Sequence, residues 1–156
     1  PANLKEVRKH MSVQTIGHDK LNQLRTVRYL KDAEGVKAHM RLLAGELKPK
    51  FDIVLETLER ELGGTGLASW TKPKGGYFVA LDTLNGCAKA TVEMAKEAGV
   101  KLTGAGATFP YKKDPRDRNI RIAPTYPTLD ELRTAMELLC VCVKRAGVDK
   151  LLKEKK

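Results

Sequence analysis

The chain is poor in aromatic residues: Phe, Trp and Tyr make up 5% of its 156 residues, and tryptophan occurs once. A module that reads nucleic-acid bases by stacking needs several rings on one surface, so little material for that is at hand. Cysteine and histidine number three each. Cys87, Cys140 and Cys142 fit neither a CxxC redox pair nor a metal motif and read as reduced thiols of a cytosolic protein. His10, His18 and His39 lie far apart, so no metal site is expected. The longest apolar runs, Tyr77 to Leu81 and Leu138 to Val143, are far too short to cross a bilayer, and residues 1 to 20 carry no signal-peptide core. A soluble, cytoplasmic protein with no membrane partner is the expectation.

Positive charge is abundant. Lys plus Arg total 29 against 19 Asp plus Glu, a net +10. Much of the excess sits in Lys112-Lys113-Asp114-Pro115-Arg116-Asp117-Arg118 and in the tail from Lys150, which read as a solvated loop and a helix end. That balance permits phosphate, nucleic-acid or carboxylate partners without selecting among them.

Residues 1 to 31 have no sustained period; Gly17-His18-Asp19 reads as a turn before a helical stretch from Leu21 to Leu30. From Asp32, apolar residues recur at three- and four-residue steps through Val36, Met40, Leu43, Leu47, Phe51, Val54, Leu58 and Leu62, predicting a long amphipathic helix that Pro49 kinks or splits. Leu67 to Lys72 and Gly76 to Asp82 read as a hairpin about Pro73-Lys74-Gly75-Gly76, with Tyr77 to Leu81 a central strand covered on both faces. A helix over 86 to 98, a strand at Val100-Lys101-Leu102, a strand at 119 to 123 and a final helix opened by the capping box Thr128-Leu129-Asp130-Glu131 complete the order. The expected fold is α/β (α+β): a two-layer sandwich, with helices on one face of a small mixed sheet. One domain over 32 to 156 is expected, with 1 to 31 as a leading segment without a core of its own. That arrangement, and a first residue that is Pro1, suggest a piece of a larger protein.

The feature with the most chemical content is Asn119-Ile120-Arg121-Ile122-Ala123-Pro124. Alternation sends Ile120 and Ile122 to one face and Asn119, Arg121 and Ala123 to the other. A guanidinium on a stiff strand suits a carboxylate, which it binds through two parallel charge-assisted hydrogen bonds; a solvated arginine, or one paired with a nearby Asp or Glu, is the plainer alternative. Gly104-Ala105-Gly106-Ala107-Thr108-Phe109 begins like GxGxxG, but Phe109 replaces the third glycine and no helix follows, so it reads as a glycine-rich turn. Lys74-Gly75-Gly76-Tyr77-Phe78-Val79 partly echoes the RNP1 pattern, which keeps an RRM-like RNA-binding module open as a rival reading, although three defined positions disagree.

Trp70, Lys72-Pro73-Lys74-Gly75-Gly76-Tyr77-Phe78-Val79, Ala98-Gly99-Val100-Lys101-Leu102, Gly106, Phe109 and the arginine strand form an ordered series. It resembles the C-terminal part of class I, fold-type I, pyridoxal-phosphate-dependent aminotransferases, in particular the bacterial aspartate aminotransferase branch. Gly104-Ala105-Gly106 stands where that family usually has Pro-Gly. The resemblance implies the small domain of an enzyme moving an amino group between an amino acid and a 2-oxo acid, with Arg121 on the substrate α-carboxylate and pyridoxal 5'-phosphate as the parent's cofactor. It also implies that residues 1 to 31 come from the end of the large domain, with Asn22 and Gln23 near the neighbouring subunit's cofactor in a homodimer. The Schiff-base lysine would then lie outside this chain, so the chain alone would bind no cofactor and not transaminate. A free-standing amino-acid-sensing domain using Arg121 would look the same in sequence.

Overall fold

Val54, Leu58 and Leu62, at the C-terminal end of the apolar stripe read from sequence, are buried on a 30-residue helix together with Ile53 and Thr57, whereas Val36 and Met40 at the start of that stripe are exposed. In this computed structural model, which describes residues 2–15 and 17–155, the chain divides into two compact units, Pro1–Gly45 and Glu46–Lys156. Its helices are α1 (Ala2–Gln14), α2 (Lys20–Leu30), α3 (Ala33–Leu62), α4 (Ala88–Glu97) and α5 (Leu129–Glu154), and its strands β1 (Ala68–Trp70), β2 (Val79–Thr83) and β3 (Asn119–Ile122). Pro49 lies inside α3 without splitting it. Among the described residues no helix is long and apolar enough to cross a membrane, and no group of acidic, His and Cys side chains could hold a metal ion.

The first unit holds α1, α2 and the start of α3. Asp19 caps α2 by accepting the Asn22 N–H at 2.9 Å. No residue of α2 is buried, and Leu21, Leu24, Val27 and Tyr29 are mainly exposed, in line with a segment whose apolar residues follow no period.

In the second unit the strands run in the order β1-β2-β3, antiparallel throughout. Val79, Leu81, Ile120 and Ile122 turn inward and meet Ile53, Val54, Leu58 and Leu62 of α3, Ala88 and Ala95 of α4, and Leu132, Met136, Leu139 and Val143 of α5. This is the expected sandwich of helices against a small sheet, but its sheet is smaller. The expected strand at Val100-Lys101-Leu102 does not form: the Val100 N–H is spent on the Ala95 carbonyl, closing α4 behind Gly99 with its φ of 93°. Without that strand, nothing makes the sheet mixed. The hairpin forms with a longer turn than expected, closed by the Thr71 N–H donating to the Ala80 carbonyl. β2 is central as expected, yet it begins at Val79 and is covered on one face only; Tyr77 and Phe78 lie in the turn, about half exposed.

Gly147 does not end α5, which runs on to Glu154. A Cβ at that position would sit 2.9 Å from Leu67 Cδ2, so the glycine serves close packing rather than termination. The capping box is present: the Glu131 N–H donates to Thr128 Oγ1 and the Thr128 N–H to Glu131 Oε2. Those bonds from Thr128 hold the Glu131 carboxyl below its ordinary range. Lys50 Nζ of α3 donates at 2.7 Å to both the Thr125 and Pro127 carbonyls, fixing the segment that leads from β3 into α5.

The loop entering β3 is organised by Asp114, whose carboxylate accepts the N–H groups of Arg116, Arg118 and Asn119 at 3.0, 2.8 and 2.9 Å. Desolvation pushes this carboxyl up, but the three donors outweigh it and hold the group below its ordinary range. Gly106, at φ 74° and buried, donates its N–H to the Asn119 carbonyl along the outer edge of β3, the role expected of a glycine-rich turn.

This packing generates two stability tests. Leu139→Ala should cost about 2–5 kcal/mol, read as a lower urea midpoint at unchanged m-value; a cost below about 1 kcal/mol would show that α5 does not close the core. Asp114 is depressed, so its stabilisation is complete above the ordinary Asp pKa of about 3.9 and disappears as pH falls through the lower folded value. The gap in urea midpoint between the wild type and Asp114→Asn should therefore be widest near neutrality and close in acid; a gap independent of pH would contradict the three-donor account.

Candidate functional site

With Asp114 fixing where β3 begins, alternation decides which of its side chains share a face. Ile120 and Ile122 are 0% and 3% exposed, while Asn119 and Arg121 are half-buried and face away from the helices. Antiparallel register places Ala80 opposite Arg121, Asp82 opposite Asn119 and Ser69 opposite Asp82. The face of the sheet not packed on helices thus carries Ser69, Ala80, Asp82, Asn119 and Arg121.

Arg121 lies with its guanidinium carbon 4.5 Å from the centroid of the Phe78 ring. A cation over an aromatic face is held by the ring quadrupole, and the outer edge of the guanidinium stays free to donate. Arg121 Nε is buried without a hydrogen-bond partner, and the side chain joins no ion pair among the described residues. The carboxylate that shares its face is already engaged. Asp82 Oδ2 accepts from Arg118 Nη2 at 2.7 Å and Asp82 Oδ1 from Asn119 Nδ2 at 2.8 Å. Asn119 Oδ1 in turn accepts from the Thr108 hydroxyl at 2.6 Å. The result is one charge-neutral, hydrogen-bonded cluster beside one unpaired guanidinium.

The other residues singled out from sequence lie elsewhere. Asn22 and Gln23 are exposed near the start of α2, where the Asn22 N–H bonds the Asp19 side chain and the Gln23 N–H the Asp19 carbonyl. The three cysteines are free and buried. Burial pushes the Cys140 thiol up to about 11, so it is protonated and a poor nucleophile near neutrality.

Sequence reasoning placed Arg121 and Asn119 on one face and singled out Phe78 only within motifs, without joining it to Arg121, and it missed Asp82, Arg118 and Thr108. Phe78 had a usable signal: with Val79 inward, alternation turns Phe78 toward the face of Ala80, and Ala80 is the partner of Arg121. Arg118 had none, because an arginine just before a strand among other loop charges has no distinguishing pattern.

A family model for aspartate amino-transferase matches residues 1–155. A Mycolicibacterium smegmatis protein assigned to the aminotransferases is 50% identical over 147 residues, covering 94% of this chain and 34% of that protein. An aspartate aminotransferase of Corynebacterium glutamicum is 47% identical over 140 residues, covering 90% of this chain and 32% of its own length. The crystal structure of an aspartate transaminase from Corynebacterium glutamicum superposes with a TM-score of 0.89 at 46% identity, over 95% of this chain and 35% of that one. The chain spans about a third of the length of these relatives. A match running almost from end to end, together with the superposed sandwich, establishes that the chain belongs to the aspartate amino-transferase family.

Proposed function

We propose that this chain is the C-terminal small domain, residues 32 to 156 with a large-domain remnant before it, of a pyridoxal-phosphate-dependent aminotransferase, and that Arg121 binds the α-carboxylate of the amino acid and of the 2-oxo acid. One observation carries this reading. On the open face of the sheet, Arg121 is stacked on Phe78 and lacks a carboxylate partner, while the nearby Asp82 is satisfied by others.

A planar guanidinium held on a strand by the ring beneath it has lost much of its rotamer freedom before a ligand arrives. Less ordering cost is then left to binding. Two parallel N–H groups donate to the two oxygens of a carboxylate and fix its plane as well as its position, so the rest of the substrate points in one direction. Pyridoxal phosphate, when bound, supplies the electron sink for charge left on the substrate Cα. On this reading the Schiff-base lysine and the cofactor cup belong to other parts of a parent polypeptide, and this chain alone is proposed to be inactive. In a homodimeric parent, Asn22 and Gln23 are proposed to approach the neighbouring subunit's cofactor. The name of the relatives makes aspartate the first amino donor to test.

In the full-length parent enzyme, Arg121→Ala should lower kcat/KM for both amino acid and 2-oxo acid by about 1.5–3 kcal/mol, the worth of a hydrogen-bonded charged pair. Arg121→Lys should recover part of the loss, since it restores the charge without the fork. Unchanged kcat/KM in Arg121→Ala would contradict the assignment.

A further inference from the structure

Asp82 lies on the same face as Arg121, diagonally across the β2–β3 pair, with Asn119 as its direct partner and Ala80 as that of Arg121. Diagonal neighbours on one sheet face are about 7–8 Å apart at the backbone, within reach of an arginine side chain. Left to itself, a carboxylate so placed would close on Arg121, and the guanidinium would arrive at its ligand already neutralised. Instead each Asp82 oxygen is taken: Oδ2 by Arg118 Nη2 at 2.7 Å and Oδ1 by Asn119 Nδ2 at 2.8 Å. The Arg118 and Asp82 side chains are 27% and 34% exposed, so water screens their attraction only in part.

We infer that Arg118 is a positioning residue for the carboxylate site: with Asn119 it occupies Asp82 and so keeps Arg121 unpaired and available. The inference rests on the carboxylate-binding reading of Arg121 and adds a residue that reading does not need. Two further features support it. The Arg118 backbone N–H is tied to Asp114 Oδ2 at 2.8 Å, which fixes the point from which its side chain reaches Asp82. Asn119, the other occupant, is itself anchored through its Oδ1 by the Thr108 hydroxyl, so its amide nitrogen is turned toward Asp82. Two cations and one carboxylate on a small face could pair in either of two ways. The backbone geometry selects the pairing that leaves Arg121 free.

The test uses the full-length enzyme and succinate as an unreactive carboxylate probe, its inhibition constant measured against the amino acid. Arg118→Ala should weaken succinate by about tenfold, because Asp82 turns to Arg121 and must be displaced. Arg118→Lys should stay within about twofold of wild type, since a cation still holds Asp82. The deciding variant is Asp82→Ala/Arg118→Ala. It removes the competitor along with its keeper and should recover the succinate affinity that Arg118→Ala loses. A double variant as weak as Arg118→Ala would overturn the inference and leave a plain structural ion pair. So would unchanged affinity in Arg118→Ala alongside a large loss in Arg121→Ala. If Arg121→Ala itself binds succinate normally, the underlying carboxylate reading fails, and this inference with it.

Discussion

Four residues of β3 impose the constraint on which the candidate site depends. Ile120 and Ile122 enter the core because the helices on that side offer a large apolar surface, and a strand cannot bury both without presenting Asn119 and Arg121 to the opposite face. A register slip of one residue would put a guanidinium among Leu58, Leu81 and Leu139, where an unpaired charge is far too costly to survive. The hydrophobic core thus fixes the register of β3, and the register fixes which face carries the arginine. Asp114 sets where this strand begins and Lys50 holds the segment after it, so both ends are tied by side chains outside the sheet.

The chemistry open to the uncovered face depends on how its charges are distributed rather than on their number. Asp82, Arg118 and Arg121 give it one negative and two positive groups, and pairing Asp82 with Arg118 concentrates the surplus charge on Arg121. Phe78 adds a flat apolar support under that charge without supplying a competing acceptor. The proposed function and the role inferred for Arg118 both rest on this division of labour.

Much of the architecture could be read from the sequence because its signals are local or strictly periodic. The core stripe of α3, the capping box at Thr128 and the two faces of β3 each arise from residues within one element. The failures occur where a long-range contact decides. Val100-Lys101-Leu102 has the composition of a strand, but an apolar triplet pairs only if a neighbour offers a free edge, and its first N–H goes back to α4. Gly147 looks like a helix stop, whereas it lies inside α5 where a Cβ would crowd Leu67, eighty residues earlier in sequence. Tyr77 and Phe78 look like interior strand residues because apolar composition alone does not separate a covered face from one that supports a cation. In the same way Arg121 was legible as a candidate, while its freedom from Asp82 depends on Arg118, whose reach across to β2 is a contact between residues 36 apart in sequence.

The proposed carboxylate site requires that Arg121, which joins no ion pair among the described residues, take up the ligand's carboxylate. A crystal structure of the full-length enzyme with succinate bound tests this most directly. The account predicts both oxygens of one succinate carboxylate within hydrogen-bonding distance of the Arg121 guanidinium, with the Phe78 ring still beneath it and Asp82 still on Arg118 and Asn119. Succinate held by other residues, or Arg121 paired with Asp82 in its presence, would contradict it.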